Sequence, residues 1–146
     1  MTDLFVDTDV IIDFLIDREP FSKEAAIIFS LIEQKKLKGY TSALSYSNLY
    51  YVLRKFSSHK RVIGKLEELS SFLGILRVDD DIVKSALNSG FKDFEDAIQC
   101  FTAHEYKRID IIITRNVKDY RGSELPVMTP ETFLKTYEQL LLTIGG

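Results

Sequence analysis

LFVDTDVIID, residues 4–13, sets two apolar runs, Leu4–Val6 and Val10–Ile12, against Asp7, Asp9 and Asp13. The apolar residues suit a buried strand that leads straight into a helix. The carboxylates do not suit a core, because an ionised group is costly to bury unless something compensates it. The fold and the function both turn on what supplies that compensation.

Outward from this stretch, short apolar segments recur between helical patterns. LFVD (4–7) and DIIITR (110–115) read as buried strands, with GYTS (39–42), GILRVD (74–79) and LPVMT (125–129) as further ones. Helices are predicted over 20–37, 43–57, 60–73, 80–90, 93–107 and 130–142. Pro20 suits a first helical turn, and Thr129 with Pro130 makes an N-cap followed by N1. In 43–57 the spacing marks Leu49, Val52, Leu53 and Phe56 as the buried stripe. Strands alternating with helices imply right-handed crossovers. The expectation is a three-layer α/β/α sandwich, Rossmann-like, with a central parallel sheet of four to five strands. No repeat, linker or composition shift divides the chain, so residues 1–146 are expected to form one domain. Ligands of such folds gather outside the carboxyl ends of the strands. Asp7, Thr41, Ser42 and Thr114 to Asn116 fall there.

The bulk composition narrows the classes. With 45% hydrophobic and 28% charged residues, 7 glycines and 3 prolines, the chain is globular and not disordered or collagenous. A formal net charge of -3 gives no strong basic field that would advertise a nucleic-acid partner. Cys100 is the one cysteine, which excludes an intramolecular disulfide; it is expected as a small buried hydrophobe. There is no apolar run of transmembrane length and no secretory leader pattern, so no membrane association and a cytoplasmic location are expected.

A second acidic cluster lies in KDFEDAIQCF, residues 92–101. On a helix starting near Asp93, residues Phe94, Ala97, Ile98 and Phe101 form the apolar stripe, with Asp93 and Asp96 together on one flank. Like charges at that spacing repel unless a cation or a helix N-terminus offsets them. Capping is the plainer alternative for both clusters, with Asp7 or Thr8 for the first helix and Asp93 with Asp96 at N3 for this one, and both readings can hold at once. A capped first turn also aims Asp96 rigidly. TRNVKDY (114–120) adds Thr114, Asn116 and Asp119 beyond a strand end. Carboxylate and amide oxygens suit hard cations, magnesium or manganese. His59 and His104 stand apart and do not make a zinc site. Metal-assisted hydrolysis is the chemistry that this residue set supports.

LFVDTDVIID, TSALSYSNLYYVL, DFEDAIQ, IITRNVKDY and PVMTPETFL, in this order over roughly residues 3 to 135, resemble the PIN domain family. That family consists of metal-dependent nucleases and includes the VapC-like toxins of bacterial toxin–antitoxin pairs. The resemblance implies a Mg²⁺- or Mn²⁺-dependent endoribonuclease, the toxin of a type II pair. Asp7, Asp96 and Asp119 would hold the metal, with Asp93 and Asn116 helping directly or through water. Asn48 would offer its amide oxygen or bond a metal-bound water. Thr114 would support Asp96 or a water, and Asp9 would lie in the same supporting layer. Arg115, Lys118 and Arg121 are expected to rim the site and meet phosphates of an RNA substrate. The family likeness also implies a small antitoxin partner and a homodimer. Many relatives carry glutamate where this chain has Asn48 and aspartate where it has Asn116; the chain is similar to a branch with asparagine at both. The alternatives are a PIN-like module of weak catalysis that holds RNA or protein, and a haloacid-dehalogenase-like phosphatase, whose first motif is also strand-Asp-x-Asp.

Overall fold

Leu4 and Val6 point to one side of a sheet and Phe5 to the other, and two layers of helices follow from that alternation. The structure, a computed structural model, describes residues 1–145. In chain order it contains β1 (Asp3–Val6), α1 (Thr8–Leu15), α2 (Ser22–Glu33), β2 (Lys38–Ser42), α3 (Ala43–Leu53) and α4 (His59–Ser70). There follow β3 (Leu73–Leu76), α5 (Asp80–Leu87), α6 (Phe94–Glu105), β4 (Ile111–Ile113), β5 (Val127–Met128) and α7 (Pro130–Gly145). All strand pairs are parallel, in the order β3-β2-β1-β4-β5. Leu4, Val6 and Ile113 pack with Val10 and Ile11 of α1, Phe29 of α2, Leu69 of α4 and Phe133 of α7. Phe5 and Ile112 face the opposite layer, with Cys100 and Ala103 of α6. The expected α/β/α sandwich is thus present, with five strands, and Cys100 is buried as expected.

The boundaries differ from expectation where local hydrogen bonding ends an element early. The Ser70 and Ser71 hydroxyls donate back to the Glu67 and Glu68 carbonyls and close α4. Asp79 caps α5 by accepting from the Ile82 amide at 3.0 Å. Together they confine β3 to Leu73–Leu76 instead of 74–79. The second helix starts at Ser22, with Pro20 in the turn before it, and gives way to Lys35 at φ 62°. Because α3 stops at Leu53, Phe56 lies beyond its stripe and is 70% exposed. Thr129 caps α7 as expected, accepting from the Thr132 amide at 3.1 Å.

The strand order positions the site. The chain leaves central β1 for β2 and β3, then returns to the other side of β1 as β4. A crevice opens at such a reversal, outside the carboxyl ends of the strands. Val6 pairs with Ile113, and the Asp7 amide donates to the Ile113 carbonyl at 2.9 Å. Asp7 and Thr114 therefore emerge side by side.

Candidate active site

Asp7 is buried and its side chain accepts three hydrogen bonds. As N-cap of α1 it accepts from the Thr8 amide at 2.7 Å; its other oxygen accepts from the Thr114 hydroxyl at 2.8 Å and the Tyr120 hydroxyl at 2.9 Å. The capping expected of Asp7 is present, and it is compatible with a place in the candidate site. Burial, and then the neighbouring Asp9 charge, push its carboxyl up to about 7, against the pull of the three donors. Tyr120 is itself buried, beside Asp7 and Asp96, and its phenol is pushed far above its ordinary range. It stays a permanent donor to Asp7.

Asp96 faces this carboxylate from α6. Asp93 caps that helix, accepting from the Asp96 amide at 3.0 Å, and so fixes the first turn that aims Asp96 inward. Asp96 is only 9% exposed. Burial, followed by the charges of Asp7, Asp93 and Asp119, pushes it up to about 8. Asp119 is exposed, in the short 3₁₀ helix Val117–Tyr120. Among the described residues no three acidic, histidine or cysteine side chains converge closely enough to grip one ion. The aspartates form an electrostatic cluster that disfavours its own ionisation, with hard oxygen donors of the kind magnesium and manganese take. In that chemical sense the residues fit a divalent ion.

The remaining expected residues take more varied places. Asp9 turns toward the loop after β4, where one oxygen accepts from the Arg115 amide at 3.1 Å, Asn116 Nδ2 at 3.3 Å and, more weakly, Thr114 Oγ1 at 3.4 Å. Its other oxygen is buried without a partner among the described residues, and burial raises its pKa. Thr114 supports Asp7 and Asp9, not Asp96. Asn116 spends an N–H on Asp9. Asn48 is half-buried on α3, one turn beyond Ser45; no hydrogen bond among the described residues joins it to an aspartate. Arg115 does not rim the site with a free charge. Its Nε donates to Asp13 at 2.6 Å and its Nη2 at 3.3 Å, and its guanidinium lies 4.2 Å from the centre of the Phe21 ring. The cost of burying Asp13 is met by Arg115, within the protein. Lys118 and Arg121 are exposed.

Sequence reasoning missed a buried hydroxyl–amide network behind the acids. Ser45 accepts from Thr41 at 2.8 Å and from Gln99 Nε2 at 2.6 Å, and meets Thr8 Oγ1 at 2.8 Å. Gln99 also donates to Thr8 at 3.0 Å and accepts from Ser42. These groups join α1, the β2–α3 corner and α6 at the level of Asp7 and Asp96. Buried polar groups need such partners. A glutamine three residues after Asp96 was the available signal, since i and i+3 share a helix face.

A buried acid cluster at the reversal point of a parallel sheet defines a candidate centre for cation-assisted chemistry. The PIN domain family model matches residues 3–118, and the chain belongs to that family. Its fold is similar to a toxin–antitoxin complex from Klebsiella pneumoniae, at 24% identity and TM-score 0.63, covering 87% of this chain and 97% of that one. It is similar also to VapBC-1 from nontypeable Haemophilus influenzae (16% identity, TM-score 0.63, 89% of this chain and 99% of that one). A third likeness is to Mycobacterium tuberculosis VapC20, a Sarcin-Ricin loop cleaving toxin (18% identity, TM-score 0.57, 75% and 86%). No curated protein shows significant sequence similarity to the chain. Family membership leaves the phosphatase alternative without support. No helix among the described residues is long and apolar enough to cross a membrane.

Proposed function

We propose that this PIN domain is a divalent-metal-dependent endoribonuclease and the toxin of a toxin–antitoxin pair. The observation that carries the reading is the facing of Asp7 and Asp96, both buried and both pushed toward neutral pKa values by burial and by neighbouring acids. Such a cluster is unfavourable by itself and favourable around a cation. Asp7, Asp96 and Asp119 would hold Mg²⁺ or Mn²⁺, with Asp93 and Asn116 assisting. When bound, the ion would lower the pKa of a water and offset charge on the scissile phosphate. The protein's own part is positional. Thr114, Tyr120 and the Thr8 amide fix the Asp7 carboxylate, Asp93 fixes the turn that carries Asp96, and Gln99 and Ser45 tie their elements together.

Lys118 and Arg121 would meet substrate phosphates; Arg115, paired with Asp13, would act by holding the loop after β4. The solved relatives that are toxin–antitoxin complexes favour a small antitoxin as partner, and the family likeness favours a homodimer. A PIN-like module that holds RNA without cutting it is the second reading, favoured by the neutral Asn48 and Asn116 and by side chains that do not converge on one ion. The test is cleavage of single-stranded RNA with Mn²⁺ against EDTA. Wild type is expected to cut only with metal, and Asp96→Asn to lose at least about a hundredfold in rate, a loss of roughly 3 kcal/mol in barrier terms. Equal cleavage by the variant, or in EDTA, would sink the proposal.

A further inference from the structure

Beside the acid cluster lies a hollow of about 570 Å³, lined by the segments Ser89–Lys92 and Lys118–Gly122 and by Phe101, with Tyr120 itself buried beneath. Asp119 stands on its wall, so the hollow begins where the acid cluster ends. Phe91 and Phe101, both half-buried, have ring centres 6.1 Å apart. Phe91 also meets Tyr120 edge-to-face at 6.3 Å, and Tyr120 holds Asp7. One ring thus separates the hollow from the buried carboxylate.

Gly122 bears on how open the hollow is. Its backbone does not demand glycine, because no glycine among the described residues has positive φ. Space is the reason instead: a Cβ at this position would stand 3.1 Å from Phe91 Cε1 and crowd the ring. The missing side chain leaves the Phe91 edge clear. Around it stand Lys92, Lys118 and Arg121, all exposed, and none is in an ion pair among the described residues. Three free cations around an aromatic recess suit an anionic chain that carries planar groups. A nucleic-acid strand has both, and stacking on aromatic rings in a basic groove is how unpaired bases are held.

We infer that this hollow is a nucleotide subsite, in which one unstacked base of a single-stranded RNA rests against Phe91 and Phe101 while Lys92, Lys118 and Arg121 hold the adjoining phosphates. The inference rests on the ribonuclease reading and adds a requirement for single-stranded substrate. Bases stacked inside a duplex cannot reach a recessed ring, whereas splayed bases can.

The experiment measures binding of a short fluorescein-labelled RNA to the Asp96→Asn protein in EDTA, single-stranded and as the duplex of the same sequence. Gly122→Val fills the space at Phe91 and is expected to weaken single-strand binding roughly tenfold with an unchanged salt slope. Duplex binding should be weaker and indifferent to that change. Lys118→Ala with Arg121→Ala should instead flatten the slope by roughly one to two units. Phe91→Leu keeps apolar packing against Tyr120 and should reproduce the Gly122→Val loss, with thermal melts confirming that both variants fold. Single-strand binding untouched by Gly122→Val and Phe91→Leu overturns the subsite, as does an equal loss for duplex. Wild type that shows no metal-dependent cleavage while the Gly122→Val loss persists overturns the nuclease reading and upholds the subsite. No RNA binding by any form overturns the subsite, and wild type that also fails to cleave in Mn²⁺ overturns both.

Discussion

Asp7 and Asp13 sit six residues apart at the two ends of one short helix, both buried, in opposite circumstances. Asp13 is 1% exposed and has a cation of its own: Arg115 meets it through two nitrogens and is braced on Phe21. Asp7 has three hydrogen-bond donors and, among the described residues, no cation partner, and its neighbours in charge are acids. The pair is self-sufficient and structural. The cluster leaves its electrostatic cost open, which makes it responsive to protons and cations. The lesson is that two buried carboxylates on one helix differ in whether the fold itself supplies a counter-charge.

The sharpest way to break this contrast is pH. Asp7 and Asp96 rise from 3.8 to about 7 and about 8 in the fold. An acid with a raised folded pKa contributes stability that is fully present below its unfolded pKa and is lost as pH rises through the folded value. Metal-free protein should therefore lose on the order of several kcal/mol between pH 4 and 8.5, with Mn²⁺ restoring much of it at the upper end. Thermal melts in EDTA and in Mn²⁺ across that range check this, and Asp96→Asn should flatten the EDTA curve. A flat curve in the unmutated protein would remove the distinction between cluster and pair.

A smaller effect probes the pair. Arg115→Ala strands Asp13 in the core and should cost about 3 kcal/mol by urea denaturation, with or without metal. A loss seen only when metal is present would make Arg115 part of the site. Smallest is Tyr120→Phe, which removes one donor from Asp7 and keeps the ring. About 1 kcal/mol of stability should go at pH 8.5, with less lost at pH 5.5 where Asp7 is protonated. The same loss at both pH values would assign Tyr120 to packing alone.

The alternating strands, the parallel sheet and the capped starts of α1 and α6 were legible because each rests on local spacing. Asp7, Asp96 and Thr114 were legible as residues at strand and helix ends. The assignment of Arg115 to Asp13 was not, since these positions are 102 residues apart and nothing local ties them. Tyr120 reads from sequence as one more aromatic, and only the return of β4 beside β1 turns its hydroxyl toward Asp7. Gln99 hides for a related reason. A polar residue on a helix looks solvated until three other elements close over it. Phe56 fails in the other direction, as an apolar residue at helical spacing beyond a helix that ends three residues earlier.

The strand order also has a consequence for synthesis. Asp7 leaves the ribosome well before its hydrogen-bond partners Thr114 and Tyr120, which follow 107 and 113 positions later. β1 can pair with β2 early, but the flank that completes the crevice arrives with β4. Contacts so distant along the chain form slowly, after the loop between them has closed. A nascent chain halted anywhere before residue 114 therefore holds an unfinished crevice, with Asp7 present and neither of its hydroxyl donors yet made. The donor set of Asp7 is complete only once Thr114 and Tyr120 have both been translated.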